Sequence, residues 1–224
     1  MSQLSRLMES TPQSEEIAVA QFLLSFPRGI EECAQAVAVF NGEGEIWRMT
    51  HALKNWKKHE VGMRLFLIAG YFDEREKKDP ESALGLLKKP PFSLVSTDSI
   101  HIKMDTGNTK EQAEWVAEMV REFDIKSLAL YVSHYHLVRA FRALLREFIK
   151  RGMPWISLIP VPVTISPEVR IPGSNVSAWA LVPGEQVRIE RYQGTGDVAT
   201  PGEVREYLDW FWSHSPLVED WLKP

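Results

Sequence analysis

The chain has a single cysteine, Cys33, so no internal disulfide can form. That excludes the disulfide-built secreted scaffolds and fits a reducing compartment. No apolar run approaches the roughly 20 residues that span a bilayer, so no membrane span is expected. The opening residues, "MSQLSRLMESTPQSEE", are polar and lack the apolar centre of a signal peptide. Charge of neither sign dominates, with 26 Lys and Arg against 30 Asp and Glu and a net charge of −4. The basic field that draws nucleic acid is therefore missing. The phosphate fingerprints are missing too. There is no GxGxxG, and no Walker lysine follows a glycine-rich loop. A serine-hydrolase elbow, GxSxG, is also lacking. No internal repeat and no low-complexity tract is found. The expectation is a soluble, cytoplasmic protein whose partner is a small molecule, with no nucleic acid and no membrane; its oligomeric state is not readable.

What is present suits a globular fold. The 224 residues are 44% apolar and 25% charged, enough for one domain with a sizeable core. Residues 14–26 carry apolar side chains at helical spacing, and Pro27 follows them. "AQAVAVF" (34–40) reads as a buried strand ending in "NGEGE". "IWRMTHALKNWKKH" (46–59) is an amphipathic helix, and "RLFLIAG" (64–70) a second strand. A charged, proline-bearing stretch holds one short helix, "PESALGLLKK". "SIHIKM" (99–104) is a third strand. "NTKEQAEWVAEMVREF" (108–123) is a helix with Ala113, Val116, Ala117 and Val120 on one face. Leu128 to Val132 form a fourth strand that runs straight into a helix. In "PWISLIPVPVTI" (154–165) the prolines at 160 and 162 cannot donate to a ladder, so this segment leaves the sheet there or lies at its edge.

The tail, 183–222, carries two helical signals and several of the eight tryptophans. One helix is expected to begin at Pro183. The other begins after Thr200, with Glu203 completing a capping box. Strands alternating with helices, without clean polar alternation in the strands, argue for a Rossmann-like three-layer α/β/α sandwich with a mostly parallel sheet.

In such sheets ligands bind outside the carboxyl ends of the strands, where strand order reverses. Each expected strand here ends in polar or glycine residues. Asn41, Gly42 and Glu43 follow the first, and Gly70-Tyr71 the second. Asp105, Gly107, Asn108 and Thr109 follow the third, and "SHYH" the fourth. A parallel sheet places all four groups on one rim. Glycine in "NGEGE" lets backbone approach a ligand closely. Arg48 lies in the first turn of the next helix, against its dipole, unless it meets an anion. Asn108 and Thr109 both fit helix-capping patterns, and a helix N-terminus also receives anions.

At the fourth strand's end, Ser133 and His134 sit in the turn, and His136 and Arg139 share a face of the next helix. Arg142 and Arg146 continue that face as a solvated stripe. Adjacent Ser133 and His134 do not suit a catalytic triad. A metal site from His134 and His136 would need Asp105 or Glu43 as a third ligand. Cys33 has no basic neighbour to activate it.

"GNTKEQAEWVAEMV" together with "LYVSHYHLVRAFRAL" resembles the paired motif of the YdcF-like family, which includes SanA and ElyC. In that motif Asn-Thr opens a helix. A later strand ends in Ser/Thr-x-x-His leading into Arg-Ala. The matching positions are Asn108, Thr109, Ser133, His136, Arg139 and Ala140. "AVAVFNGEGEIWRMTHALKNW" and "LFLIAG" are similar to the family's first strand, loop, Arg-led helix and second strand. The similarity covers residues 34–165. It implies a Rossmann-like domain with a rim pocket, and nucleotide-like ligands, S-adenosylmethionine among them. The chain departs from the pattern in its Gly70-Tyr71, where the family has Gly-Gly, and in its extra His134. It also departs in its apparent lack of an anchor and in its terminal helices.

The resulting expectation is a site for a nucleotide-like or phosphorylated ligand. His136 would act as general acid/base or hydrogen-bond donor. Arg48 and Arg139 would hold an anionic group. Asn41, Gly42, Glu43, Gly70, Asn108, Thr109 and Ser133 would shape the pocket. Two alternatives stand beside it: a non-catalytic interaction protein using the aromatic tail, and a metal-dependent hydrolase.

Overall fold

A computed structural model describes residues 12–59, 62–70, 85, 87–90, 92–94 and 97–222. The expected helix "PESALGLLKK" lies mostly outside the described residues. Five strands form one sheet: β1 (Ala36–Phe40), β2 (Leu65–Ala69), β3 (Ile100–Lys103), β4 (Ser127–Ser133) and β5 (Ser157–Val163). Their spatial order is β3-β2-β1-β4-β5, and every pairing is parallel. The chain steps outward from β1 to β3, then returns to the other side of β1 for β4 and β5. Right-handed crossovers in opposite directions put the connecting helices on opposite faces.

The helices follow that rule. Helix α1 is Pro12–Leu24, α2 Ile46–His59, α3 Thr109–Glu122 and α4 Leu137–Lys150. Helix α2 packs on β1 and β4, while α3 and α4 pack against each other and the sheet. The result is the Rossmann-like three-layer α/β fold. Strands β1, β2 and β4 are buried along their whole length, as strands covered on both faces must be. Ala113, Val116, Ala117 and Val120 turn the inner face of α3 to the sheet, all at most 1% exposed. No helix among the described residues is long and apolar enough to cross a membrane.

Strand β5 keeps both prolines inside the sheet by lying at its edge. The Ser157 N–H donates to Lys126 in the β4 direction, so alternate N–H positions, 158, 160 and 162, point outward. Pro160 and Pro162 therefore fall where no ladder bond is lost. The remaining outward N–H, on Leu158, donates to the Tyr207 hydroxyl at 2.6 Å.

Tyr207 belongs to α6 (Pro201–His214), which with α7 (Pro216–Trp221) closes this side of the sheet. Thr200 and Glu203 form the expected capping box. Phe211 of α6 meets Phe26 edge-on at 5.3 Å, and both belong to the central apolar cluster. The aromatic tail thus contributes core packing.

Two expectations are corrected. Helix α5 runs Ala178–Gly194, not from Pro183, because Ser177 caps it by accepting the Ala180 N–H at 3.3 Å. Pro183 lies inside it, and the carbonyl it leaves unserved is that of Trp179, a residue 70% exposed. The arginine stripe on α4 is not solvated. Arg142 is fully buried, donating to Ala199 O (2.6 Å), Glu16 (2.5 Å) and Gln193 (2.5 Å). Arg146 pairs with Glu203 at 2.6 Å. Arg142 joins α4 to α1, α5 and the approach to α6, and Arg146 joins it to α6.

Candidate functional site at the strand-order reversal

Strand order reverses between β1 and β4, so their carboxyl ends open a crevice. A cavity of about 380 Å³ occupies that place. Asn41 enters it from the end of β1, and Thr106 to Thr109 from the loop after β3 and the start of α3. His136 and Arg139 enter from the start of α4, and Leu181 to Tyr192 from α5. The rim is therefore walled on its open side by the segment that follows β5.

Beneath the cavity lies a buried polar knot. Arg48 is 1% exposed. Its Nη1 donates to Phe40 O at 2.6 Å, its Nη2 to Glu45 at 2.6 Å, and its Nε to Ser133 Oγ at 2.9 Å. Ser133 Oγ in turn donates to Glu45 Oε2 at 2.8 Å, and Trp47 Nε1 donates to Ser133 at 3.0 Å. The Tyr135 hydroxyl donates to Glu45 at 2.9 Å. Arg48 thus meets its anion inside the protein, and its side chain bends back over the start of α2. That relieves its poor placement against the helix dipole. A Cβ on Gly42 would fall 2.2 Å from Glu45 Oε1, so the glycine makes room for the carboxylate. Burial, followed by the neighbouring Glu45 carboxylate, pushes the Tyr135 phenol above its ordinary range against the pull of Arg48.

Gly70 has a related task. Its φ is +99°, and a Cβ there would come within 2.6 Å of Asn41 O and of Gln112 Nε2. The absence of a side chain lets Gln112 donate to Asn41 O at 2.8 Å and to Ala69 O at 3.0 Å. The ends of β1 and β2 are pinned together in this way. Neither Gly70 nor Ser133 lines the cavity; both support the residues that do.

Asn108 caps α3, accepting the Glu111 N–H at 3.0 Å, while its amide donates back to Glu111 at 2.8 Å. Thr109, freed from capping, turns its hydroxyl to α4. It accepts from Arg139 Nη1 at 2.6 Å and lies 3.1 Å from His136 Nε2. Arg139 takes one of the two lone pairs of the hydroxyl, so the imidazole tautomer sets which partner donates in the bond to His136.

His136 as a residue keeps some exposed surface, but its ring lies deep against protein. Burial is the first cause that holds its pKa well below the ordinary histidine range; Arg139, Arg48 and Arg188 add to it. Burial and the neighbouring guanidiniums all favour the neutral imidazole.

Arg139 is clamped by Glu185 of α5, with Nε to Oε2 at 2.6 Å and Nη2 to Oε1 at 3.2 Å. Glu185 also accepts from Arg188 at 2.7 Å. Two polar side chains in the wall have no partner among the described residues. Both amide atoms of Asn41 and the hydroxyl of Thr106 are buried and unbonded.

Of the residues expected at the site, Asn41, Gly42, Glu43, Arg48, Asn108, Thr109, His136 and Arg139 line one cavity. His134 does not. Its N–H donates to Val163 O at 3.2 Å, extending the ladder toward β5. Cys33 is exposed as a residue, and partial burial of its thiol, followed by Asp220, Glu32 and Glu31, pushes its pKa up, away from the reactive thiolate. Among the described residues, no group of three or more His, Cys, Asp or Glu could hold a metal ion.

Sequence reasoning missed Glu45, Thr106 and the whole α5 wall. Glu45 carries a local signal, a carboxylate three residues before Arg48 at a helix start. Glu185 carries none, because α5 reaches the rim only through the tertiary fold.

Fold and site together define a doubly wound α/β protein with a polar cavity at its topological switch point. No protein-family model matches the chain, and no curated protein matches it.

Proposed function

We propose that the chain is a YdcF-like protein that binds a nucleotide-like or phosphorylated small molecule, S-adenosylmethionine-like ligands included, at the C-terminal rim of its sheet. The observation that carries this reading is Asn41. The residue is 4% exposed, its amide is buried, and neither the amide oxygen nor the nitrogen has a partner among the described residues. Leaving a buried polar group unpaired costs about 1–3 kcal/mol, so folding alone gives no reason to keep an asparagine there. A ligand with a donor and an acceptor side by side, such as a nucleobase edge or a carboxamide, satisfies it. Thr106 offers a third polar atom on the same cavity wall. The first N–H groups of α3 and the Arg139 guanidinium favour an anionic group nearby.

His136 supports a hydrogen-bonding role in the unliganded protein, since a strongly depressed pKa makes a weak base. An anion bound beside Arg139 offsets the three cations that depress it. That raises the imidazole toward the range in which it exchanges protons near neutral pH.

The test is thermal unfolding of wild type, Asn41→Leu, His136→Ala and Arg139→Ala against ATP, AMP, S-adenosylmethionine and sugar phosphates. Wild type should be stabilised by at least one of them and the variants not. No stabilisation of wild type, or equal stabilisation of all four proteins, contradicts the reading.

A further inference from the structure

We infer that the Glu185 side chain is a built-in competitor for an oxyanion site formed by Arg139 and Arg188. The inference rests on the proposed function and adds how that site is occupied.

The geometry is that of a bound anion. One carboxylate, with a side chain 7% exposed, accepts three hydrogen bonds from two guanidiniums. The Arg139 fork meets it with two nitrogens, the arrangement by which arginine receives a carboxylate or phosphoryl group. The third nitrogen of Arg139 is fixed on Thr109, the first residue of α3, so the anion position lies beside a helix N-terminus. Arg188 has a side chain 47% exposed and can follow an incoming group.

The charge balance agrees. Glu43, Glu45 and Glu185 line the cavity against Arg48, Arg139 and Arg188, three of each sign. Arg48 and Glu45 are spent on each other. With Glu185 withdrawn, Arg139 and Arg188 face only Glu43, and the cavity turns cationic.

The stretch of α5 around Glu185 leaves room for that side chain to leave. Only Ala178, Glu185 and Ile189 are buried along its 17 residues, and Glu185 is the charged one among them. Trp179, Val182 and Val187 are exposed at 70%, 43% and 64%. Glu185 and Arg188 lie one turn apart on α5, so the exchange is a swing of the Glu185 side chain that leaves Arg188 within reach of the incoming group. An oxyanion replaces Glu185 on the same three nitrogens, so the arginines are never left unpaired in the exchange.

Calorimetric titration with inorganic pyrophosphate, an anion without a base or sugar, tests this. Glu185→Gln should bind pyrophosphate at least tenfold tighter than wild type, and Glu185→Gln/Arg139→Ala should lose that gain. Circular dichroism confirms folding. If Glu185→Gln binds no tighter or more weakly, Glu185 positions Arg139 and the inference is overturned, while ligand-induced stabilisation of wild type leaves the functional reading standing. If neither protein binds pyrophosphate, the inference is overturned as well. Should Glu185→Gln fail to fold, wild type decides. Pyrophosphate should shift the Arg139 and Arg188 guanidinium resonances of wild type together, and a shift of neither contradicts the exchange.

Discussion

The Asn41 carbonyl accepts a hydrogen bond from the Gln112 amide at 2.8 Å, while the Asn41 side chain beside it bonds to nothing among the described residues. The backbone at the switch point is therefore fixed by protein, and the side chain is held ready by that fixation. Preorganisation of this kind lowers the cost of ordering a binding group when the ligand arrives.

Asn41→Leu should separate the two functions of the residue. Removing two unpaired buried atoms relieves desolvation, so the apo variant should melt at or above wild type. A melting temperature several degrees lower, read by calorimetry without ligand, would show that the amide serves the fold.

Gly70→Ala should be destabilising. A left-handed φ on a residue with a Cβ costs about 1–3 kcal/mol, and the contact with Asn41 O adds to that. Urea unfolding reads the loss. A change within about 0.5 kcal/mol, the range of neutral surface substitutions, would contradict the packing described.

Arg142→Ala should cost about 3–5 kcal/mol, because it strands Glu16 and the Ala199 carbonyl. Arg146→Ala, whose pair is 29% and 28% exposed on its two side chains, should cost less than about 1 kcal/mol. Paired urea melts give both numbers, and equal costs would refute the contrast.

Tyr207→Phe leaves the Leu158 N–H at the sheet edge without its partner. The expected cost is about 1–3 kcal/mol. Hydrogen exchange at Leu158 should accelerate in the variant beyond what global destabilisation explains.

Acid should destabilise wild type more than His136→Asn. The folded imidazole has a pKa well below 6.5, mainly through burial. Below about pH 6.5 the unfolded chain takes up a proton that the folded one refuses, so stability falls with pH until the folded pKa is reached. His51, also lowered by burial, Arg28 and Lys54, contributes equally to both proteins. Unfolding free energies at pH 7.5 and 5.5 give the difference; identical pH dependence would place His136 in a solvent-like setting.

Much of this site was legible as strand ends. Asn41, Asn108 and His136 each follow or open an element whose apolar period is clear, and a parallel sheet gathers such points on one rim. What stayed hidden depends on distant partners. Arg142 reads as surface on its own helix, because its burial comes from Glu16 and Ala199, 126 and 57 residues away. Arg48 and Arg139 read alike as free cations, yet Glu45 neutralises one locally and Glu185 the other across the fold. Pro183 misled the α5 boundary, since Ser177 supplied the cap and an exposed carbonyl tolerated the missing bond.

The most direct test of the account is the side-chain amide resonance of Asn41, assigned by its loss in Asn41→Leu. Titrating the wild-type protein with the nucleotide or sugar phosphate that gives the largest thermal shift should move that resonance in step with binding. An Asn41 amide that stays unchanged at saturation, or a panel in which nothing binds, would contradict a ligand site at the switch point.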